Sequence, residues 1–154
     1  MGLDMYLHAT RYESNYKFQI AENGENETFK TILQTVGGYV SPEVPSVEVS
    51  LTIGYWRKVN AIHNWFINEL ADGKDECQRI YADRSELERL SETCKAVLAD
   101  NSLAEKLLPT GAGFFFGGTE YDEWYFEGLK NTVAQIKEAL ALGSNWGFYY
   151  QASW

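Results

Sequence analysis

The sequence is poor in the residues that build disulfide and metal sites, with two Cys and two His among 154 residues. Two thiols do not form a disulfide framework in a chain of this length, and a Cys-rich zinc site is excluded by count. The composition therefore predicts that Cys77 and Cys94 are reduced thiols of a cytoplasmic protein, with no metal site and no cofactor.

Long apolar segments and catalytic motifs are also missing. No apolar run approaches the roughly 20 residues of a membrane-spanning helix, and the first ten residues lack the pattern of a secretory signal. There is no GxSxG motif, Walker loop, HExxH motif or dinucleotide fingerprint. These absences predict no membrane association, and they leave catalysis uncertain, with a non-enzymatic role favoured.

Basic residues are in the minority: the chain has 13 Lys and Arg residues and 22 Asp and Glu residues, which gives a net charge of −9. Such a charge repels DNA, RNA and anionic membranes, so direct nucleic-acid binding is not expected. Two interpretations remain: the charge keeps the protein soluble, or it engages a basic partner. The acids are spread over several segments, and this distribution favours the first interpretation.

The hydrophobic pattern predicts an α+β fold in one domain, residues 1–154, with a mixed or antiparallel sheet packed by about three main amphipathic helices. Period-2 alternation predicts the principal strands, and shorter β-rich runs predict further ones. Apolar residues recur at helical spacing in three main segments. The first begins at Arg57, the second follows a capping box at Asp83 and Glu86, and the third follows Thr119 and Asp122, which have the capping-box spacing. The predicted strands are 3–10, 16–21, 47–56, 77–82, 111–118 and 145–154.

Three further expectations concern parts of this pattern. The region 22–46 has a polar loop, a short helical stretch ending at Gly37 and two prolines, so it is predicted to be peripheral. In the strand 47–56, Val47, Val49, Leu51 and Ile53 are predicted to share one face. In the strand 111–118, at least one of the three consecutive Phe residues must point away from the others.

The stretch GYWRKVNAIHNWF, residues 54–66, carries the first candidate binding group at a strand-to-helix junction. Arg57 and Lys58 lie where the helix already presents positive charge, so they predict an anion site, with His63 as a further contact. Tyr55 and Trp56 would stack on a ring of the ligand. The alternatives are that Arg57 pairs with a surface acid and that His63 is a hydrogen-bonded core histidine.

The stretch GFFFGGTEYDEWYF, residues 113–126, carries the second group. Glu120 and Asp122 lie near a predicted helix start, where the helix dipole favours acids, so capping accounts for much of the acidic run. Tyr121 and Trp124 add aromatic side chains that capping does not require. We therefore expect Tyr121 and Trp124 to stack on the ligand together with Tyr55 and Trp56, and Glu120 to contribute to the same binding site.

The candidates for catalysis are weak. Cys77 could pair with His63 as a nucleophile and base, but its sequence neighbours balance in charge and do not clearly lower its pKa. Glu120 and Asp122 could serve as paired carboxylates, although any acidic helix start offers as much. No catalytic residue is therefore assigned, and His63 and Cys77 remain weak candidates.

Several blocks together resemble a family of small proteins encoded by tailed bacteriophages and prophages: MGLDMYL, GYWRKVNAIHNWF, DECQRIYADRSELERL, LLPTGAGFFFGGTEYDEWY and FYYQASW. The resemblance covers the first seven residues and most of the chain from residue 47, apart from residues 98–108. It implies a phage accessory protein in the bacterial host cytoplasm, and it brings no catalytic residues.

These observations favour a binding protein with a counter-defence role. It would either sequester a small anionic, nucleotide-like ligand or dock on a host protein and inhibit it. One alternative is a small hydrolase or transferase that uses His63 with Cys77 or the Glu120 and Asp122 carboxylates. A second is an acidic decoy of a nucleic-acid-binding host protein. The 23 aromatic residues also make a homodimer interface possible.

Overall fold

The structure is a computed structural model that describes residues 2–15, 26–36 and 43–154. The strands are β1 (Asp4–Ser14), β2 (Ser46–Arg57), β3 (Ile80–Ala82) and β4 (Gly147–Ser153). The helices are α1 (Glu27–Val36), α2 (Asn60–Leu70), α3 (Arg84–Ala99), α4 (Ala104–Leu107), which follows a 3-10 turn (Asn101–Leu103), and α5 (Glu123–Ala141). The strands form one antiparallel sheet in the order β2-β1-β4-β3. The predicted α+β class is confirmed.

The chain divides into two compact units, one made of Met1–Ala9 with Leu51–Trp154 and one made of Thr10–Ser50. In the smaller unit, Asn26 caps α1 by accepting a hydrogen bond from the backbone N–H of Phe29 at 2.9 Å. The Phe29 side chain is buried. The predicted strand 16–21 and the Gly37 helix end lie outside the described residues.

The core of the larger unit lies between one face of the sheet and the helices α2, α3 and α5. Alternate residues of β1 and β4 point into it, as period-2 patterning predicts. Each fully buried Leu or Phe side chain contributes roughly 1.5–3 kcal/mol relative to exposure. The residues of these strands that belong to the core are Met5, Leu7 and Ala9 in β1, with Leu3 just before it, and Phe148, Tyr150 and Ala152 in β4.

The starts of α3 and α5 are fixed by aspartates. Asp83 accepts from the Glu86 N–H at 2.8 Å while the Glu86 carboxylate accepts from the Asp83 N–H at 2.7 Å, so the predicted capping box is confirmed. Helix α5 is capped by Asp122, which accepts from the Tyr125 N–H at 3.1 Å. The spacing that made Thr119 a helix start was therefore misleading, because the chain enters the helix three residues later.

The predicted strand 111–118 is wrong, since these residues form a loop with a turn at 114–116. The Phe116 N–H donates to the Gly113 carbonyl at 3.1 Å, and a Cβ on Gly113 would lie 2.7 Å from the Phe116 ring. Gly117 has φ of 92°, which disfavours any other residue. The glycines therefore produce a turn, which leaves Phe114 96% exposed while Phe116 packs on the core.

The alternation along β2 is interrupted near its middle. Ile53 packs on the core, and a Cβ on Gly54 would lie 3.0 Å from Leu7 Cβ, so two consecutive residues face inward. Leu51 is 41% exposed, so the face that it was predicted to share with Val47, Val49 and Ile53 is not buried along its whole length. After Gly54, the backbone of Tyr55 is bound by the Gln135 side chain, which accepts from the Tyr55 N–H and donates to the Tyr55 carbonyl.

The opposite face of the sheet carries a row of rings that crosses all four strands. Neighbouring ring centroids lie 4.6–6.2 Å apart, and the closest pair, His8 and Tyr149, is stacked at 20°. Because the rings contact one another, they stabilise the pairing of the strands. Burial, and secondarily the charge of Arg79, lowers the pKa of His8. The row is Tyr55, Tyr6, His8, Tyr149 and Tyr81.

The two thiols should differ sharply in reactivity. Burial raises the pKa of Cys94 to about 12, so at pH 8 only about one molecule in 10,000 carries the thiolate. Cys77 is only partly buried. We expect intact-mass measurements with a maleimide at pH 8 to show at most one adduct on the native chain and two in denaturant. A second adduct on protein that keeps its native circular dichroism would contradict the burial of Cys94.

Candidate ligand-binding cleft

The larger unit contains a cleft of about 520 Å³ between the β2–α2 junction and the segment that leads into α5. This volume lies within the roughly 300–1,000 Å³ of small-molecule sites. His63 and Tyr121, two of the eight predicted binding residues, do not line it. The structure brings the other six together around it: Tyr55, Trp56, Arg57, Lys58, Glu120 and Trp124.

One wall of the cleft is basic. Arg57 Nη1 lies 3.6 Å from Asp4 Oδ1, as the alternative interpretation of Arg57 expected, but the Arg57 side chain is 56% exposed and the pair is weak. Tyr55 donates to the same carboxylate at 2.6 Å, and this hydrogen bond raises the pKa of Tyr55. Within the described part of the chain, Lys58 has no ion-pair partner. Its ammonium is therefore free to meet a ligand.

The backbone at the start of α2 adds donors to this wall. Val59 occupies the N-cap position and offers no side-chain acceptor, so the first N–H groups of the helix are left uncapped. Lys58, the residue before this N-cap, has φ of 58°. This left-handed conformation costs a residue other than glycine about 1–3 kcal/mol and is often found at ligand sites. Asn60 and Ala61, the first two residues of the helix, line the cleft.

Asn60 fixes the loop that forms the neighbouring rim. Its side chain is buried, accepts from the Gly111 N–H at 3.1 Å, and donates to the carbonyls of Phe116 at 3.1 Å and Gly118 at 2.8 Å. All of its hydrogen-bonding groups except one lone pair are thus used. Sequence reasoning missed Asn60, and no local signal distinguishes it from any other polar residue in a first helical turn.

The opposite wall is acidic and belongs to the start of α5. The Asp122 carboxylate is engaged because it caps α5, and Glu127 Oε2 lies 3.4 Å from Lys130 Nζ. Glu120, in contrast, has no partner among the described residues. Glu127 and Asn131 line the cleft at positions three and seven residues after Trp124, so the three share one face of the helix. Sequence reasoning missed both, although this helical spacing from Trp124 was visible in the sequence.

The floor of the cleft is formed by buried side chains that are held by hydrogen bonds. Trp56 is buried and donates from its indole to Thr132 at 2.9 Å, and the Tyr125 hydroxyl donates to the Leu108 carbonyl at 2.8 Å. Burial raises the pKa of Tyr125. Gly128 lets α5 approach Val59, because a Cβ there would lie 2.7 Å from Val59 Cγ1. Trp124 stands above this floor and is 83% exposed.

Tyr121 supports the rim from outside the cleft. Its ring meets Tyr125 edge to face at 5.0 Å, and its hydroxyl accepts from the Thr110 N–H at 3.4 Å. Tyr121 thus lies beside the rim, three residues before Trp124 in the chain. Of the four residues predicted to stack on a ring, Trp56 is buried in the floor and Tyr121 lies outside the cleft, whereas exposed Tyr55 and Trp124 line it.

His63 belongs to a separate buried network. Its Nδ1 lies 2.7 Å from the Tyr150 hydroxyl and its Nε2 lies 3.0 Å from Asp75 Oδ2, so both ring nitrogens are occupied. The predicted Cys77–His63 pair is therefore not formed, and the core-histidine alternative describes the residue. Burial raises the pKa of Tyr150, with the charges of Asp75 and Cys77 as lesser causes.

No group of three or more His, Cys, Asp or Glu side chains in the described ranges is arranged to hold a metal ion. None of the helices found in these ranges has the length and apolar content needed to cross a membrane. Comparison of the chain with protein-family models, with curated proteins and with solved structures gives no significant match in any of the three. The resemblance to phage-encoded proteins remains a prediction.

Replacing Asn60 by Asp should destabilise the fold. The carboxylate cannot donate, so the carbonyls of Phe116 and Gly118 would lose their donors and face negative charge. At roughly 1–3 kcal/mol for each unsatisfied buried group, we expect the free energy of unfolding to fall by about 2 kcal/mol or more in urea titrations. The exposed Asn101→Asp variant, which makes the same chemical change, is the control. Equal stability of the two variants would show that Asn60 does not hold the loop.

Proposed function

We propose that the protein binds and sequesters a small anionic ligand that carries a planar ring, such as a nucleotide. The observation that carries the proposal is the placement of Arg57, Lys58 and the uncapped start of α2 in a cleft whose other wall presents Trp124. If the predicted phage origin is correct, sequestration in the host cytoplasm would be a form of counter-defence.

The anionic group would bind at the basic wall. Phosphates and carboxylates are bound at helix N-termini, where uncapped N–H groups and the helix dipole favour negative charge. Arg57 adds a planar donor group, and Lys58 adds an ammonium that has no ion-pair partner among the described residues. Hydrogen bonds between such cations and an anion are about twice as strong as neutral ones.

The ring would stack on Trp124. This indole is 83% exposed although the residue lines a cleft, which leaves its face available to a ligand. Stacking of a nucleic-acid base on an aromatic side chain contributes roughly 1–3 kcal/mol. A ligand held at both walls would therefore bind through two independent contributions.

Binding is better supported than catalysis. The cleft is not lined by His63 or Cys77, and Asp122 is occupied as the cap of α5. Of the predicted catalytic groups, only the Glu120 carboxylate both lines the cleft and has no partner in the described part of the chain. The other carboxylates of the lining, Asp122 and Glu127, are engaged as the cap of α5 and with Lys130. The described lining therefore lacks two uncommitted carboxylates for the acid–base pair that hydrolysis of a glycoside or ester would need.

Docking on a host protein is the second candidate, and Phe114 favours it. This side chain is 96% exposed at a turn, and a large apolar residue in such a position is typical of a contact with another protein. The two candidates make different predictions for variants. Loss of Phe114 would weaken docking, whereas it would leave a ligand in the cleft unaffected.

The test is isothermal titration calorimetry with mononucleotides, compared with thermal shifts. At about 100 times its dissociation constant, a ligand adds roughly 2.7 kcal/mol, which raises Tm by several degrees. We expect Arg57→Gln and Lys58→Gln each to weaken binding about tenfold or more, with Tm of the free protein changed by less than about 2 °C. Exposed Lys106 lies outside the cleft, so Lys106→Gln is the matched control.

Two outcomes would overturn the cleft as the binding site. One is that no mononucleotide or other small planar anion raises Tm. The other is binding that is equally strong in the Arg57, Lys58 and Lys106 variants. In either case a pull-down from host lysate that depends on Phe114 would support docking instead.

A further inference from the structure

We infer that the ligand is a guanine mononucleotide, because the cleft sets two cations at the α2 start opposite the carboxylates of Glu120 and Glu127 beside Trp124. This inference rests on the proposed function and specifies its ligand. It concerns two properties of the ligand that the cleft constrains separately. These are the number of phosphates and the hydrogen-bonding edge of the base.

The charges of the cleft favour a single phosphate. Arg57 and Lys58 are the basic side chains that line it, and Asp4 already lies 3.6 Å from Arg57. Three carboxylates, those of Glu120, Asp122 and Glu127, line the facing wall. A second or third phosphate would therefore gain no further cation from the lining residues and would approach acids in a protein of net charge −9.

The acidic wall favours a base that offers adjacent donors. An ionised carboxylate only accepts hydrogen bonds, and its two oxygens can accept from two neighbouring N–H groups at once. The pairing edge of guanine presents N1–H beside the N2 amino group, which matches such an acceptor. The same edge of adenine presents a ring nitrogen that accepts, beside a single amino group, so a carboxylate there would face an acceptor.

The helix brings the stacking ring and the acceptor within reach of one base. Trp124 and Glu127 are three residues apart in α5, and residues at this spacing have Cβ atoms about 5–6 Å apart. A base stacked on the exposed Trp124 face would therefore turn an edge toward Glu127 or toward Glu120 on the rim. Glu120 has no partner in the described chain, and the Glu127 pair with Lys130 is exposed and weak.

Titration calorimetry of the full chain with GMP, cyclic GMP, AMP and GTP tests both properties. We expect GMP or cyclic GMP to bind at least about tenfold more tightly than AMP, with GTP no tighter than GMP. The two guanine mononucleotides differ in whether the phosphate is a monoester or a cyclic diester. Their relative affinities identify which form the basic wall accepts.

Variants then locate the acceptor. We expect Glu120→Gln or Glu127→Gln to weaken GMP binding by about tenfold while leaving AMP binding unchanged or stronger, because an amide replaces part of the acceptor with a donor. Glu138 is an exposed residue of α5 that does not line the cleft, so Glu138→Gln is the control. A GMP-to-AMP preference that is unchanged in both test variants would overturn the role of these carboxylates.

The outcomes separate this inference from the proposal it rests on. Equal affinity for GMP and AMP, with both lost in Arg57→Gln, would overturn the guanine preference and leave the anion site standing. GTP binding much more tightly than GMP would overturn the single phosphate. Absence of binding by every nucleotide would overturn the nucleotide form of the proposed function and this inference with it.

Discussion

The buried carboxamide of Asn60 is the interaction on which the shape of the cleft depends. It joins the first turn of α2 to three backbone groups of the segment 111–118, a segment rich in glycine and without regular structure. Loop backbone needs partners when it leaves solvent, and here one side chain supplies three of them. The rim of the cleft and the exposed position of Phe114 both follow from this attachment.

Local patterns predicted the fold class and most of the described helices and strands. The three main helices and the strands β1, β2 and β4 were predicted because period and capping are encoded within a few residues, as at Asp83 and Glu86. The prediction failed where glycine backbone outweighed hydrophobicity. The residues around Phe114 read as a buried strand by composition, but Gly113 and Gly117 permit a turn that places this ring in solvent.

The candidate site could be predicted only in part, for a related reason. Four neighbouring residues, 55–58, line the cleft because a strand-to-helix junction keeps them together, and Trp124 follows from its place near a helix start. Asn60 gave no signal, since its partners lie more than 50 positions away. His63 shared the helical stripe of the core, and only the tertiary partners Tyr150 and Asp75 show that it points away from the cleft.

Helix α2 is held at two levels, and this arrangement bears on how well the cleft is prepared for a ligand. Asn60 fixes its first turn to the rim, and one turn later His63 ties it to β4 through Tyr150 and to the 71–79 segment through Asp75. These attachments fix the direction of the N–H groups at its start. Preorganised donors raise affinity because binding does not have to order them. In the proposed function, the buried network would contribute to binding without contacting the ligand, because it fixes the helix whose end would receive the anion.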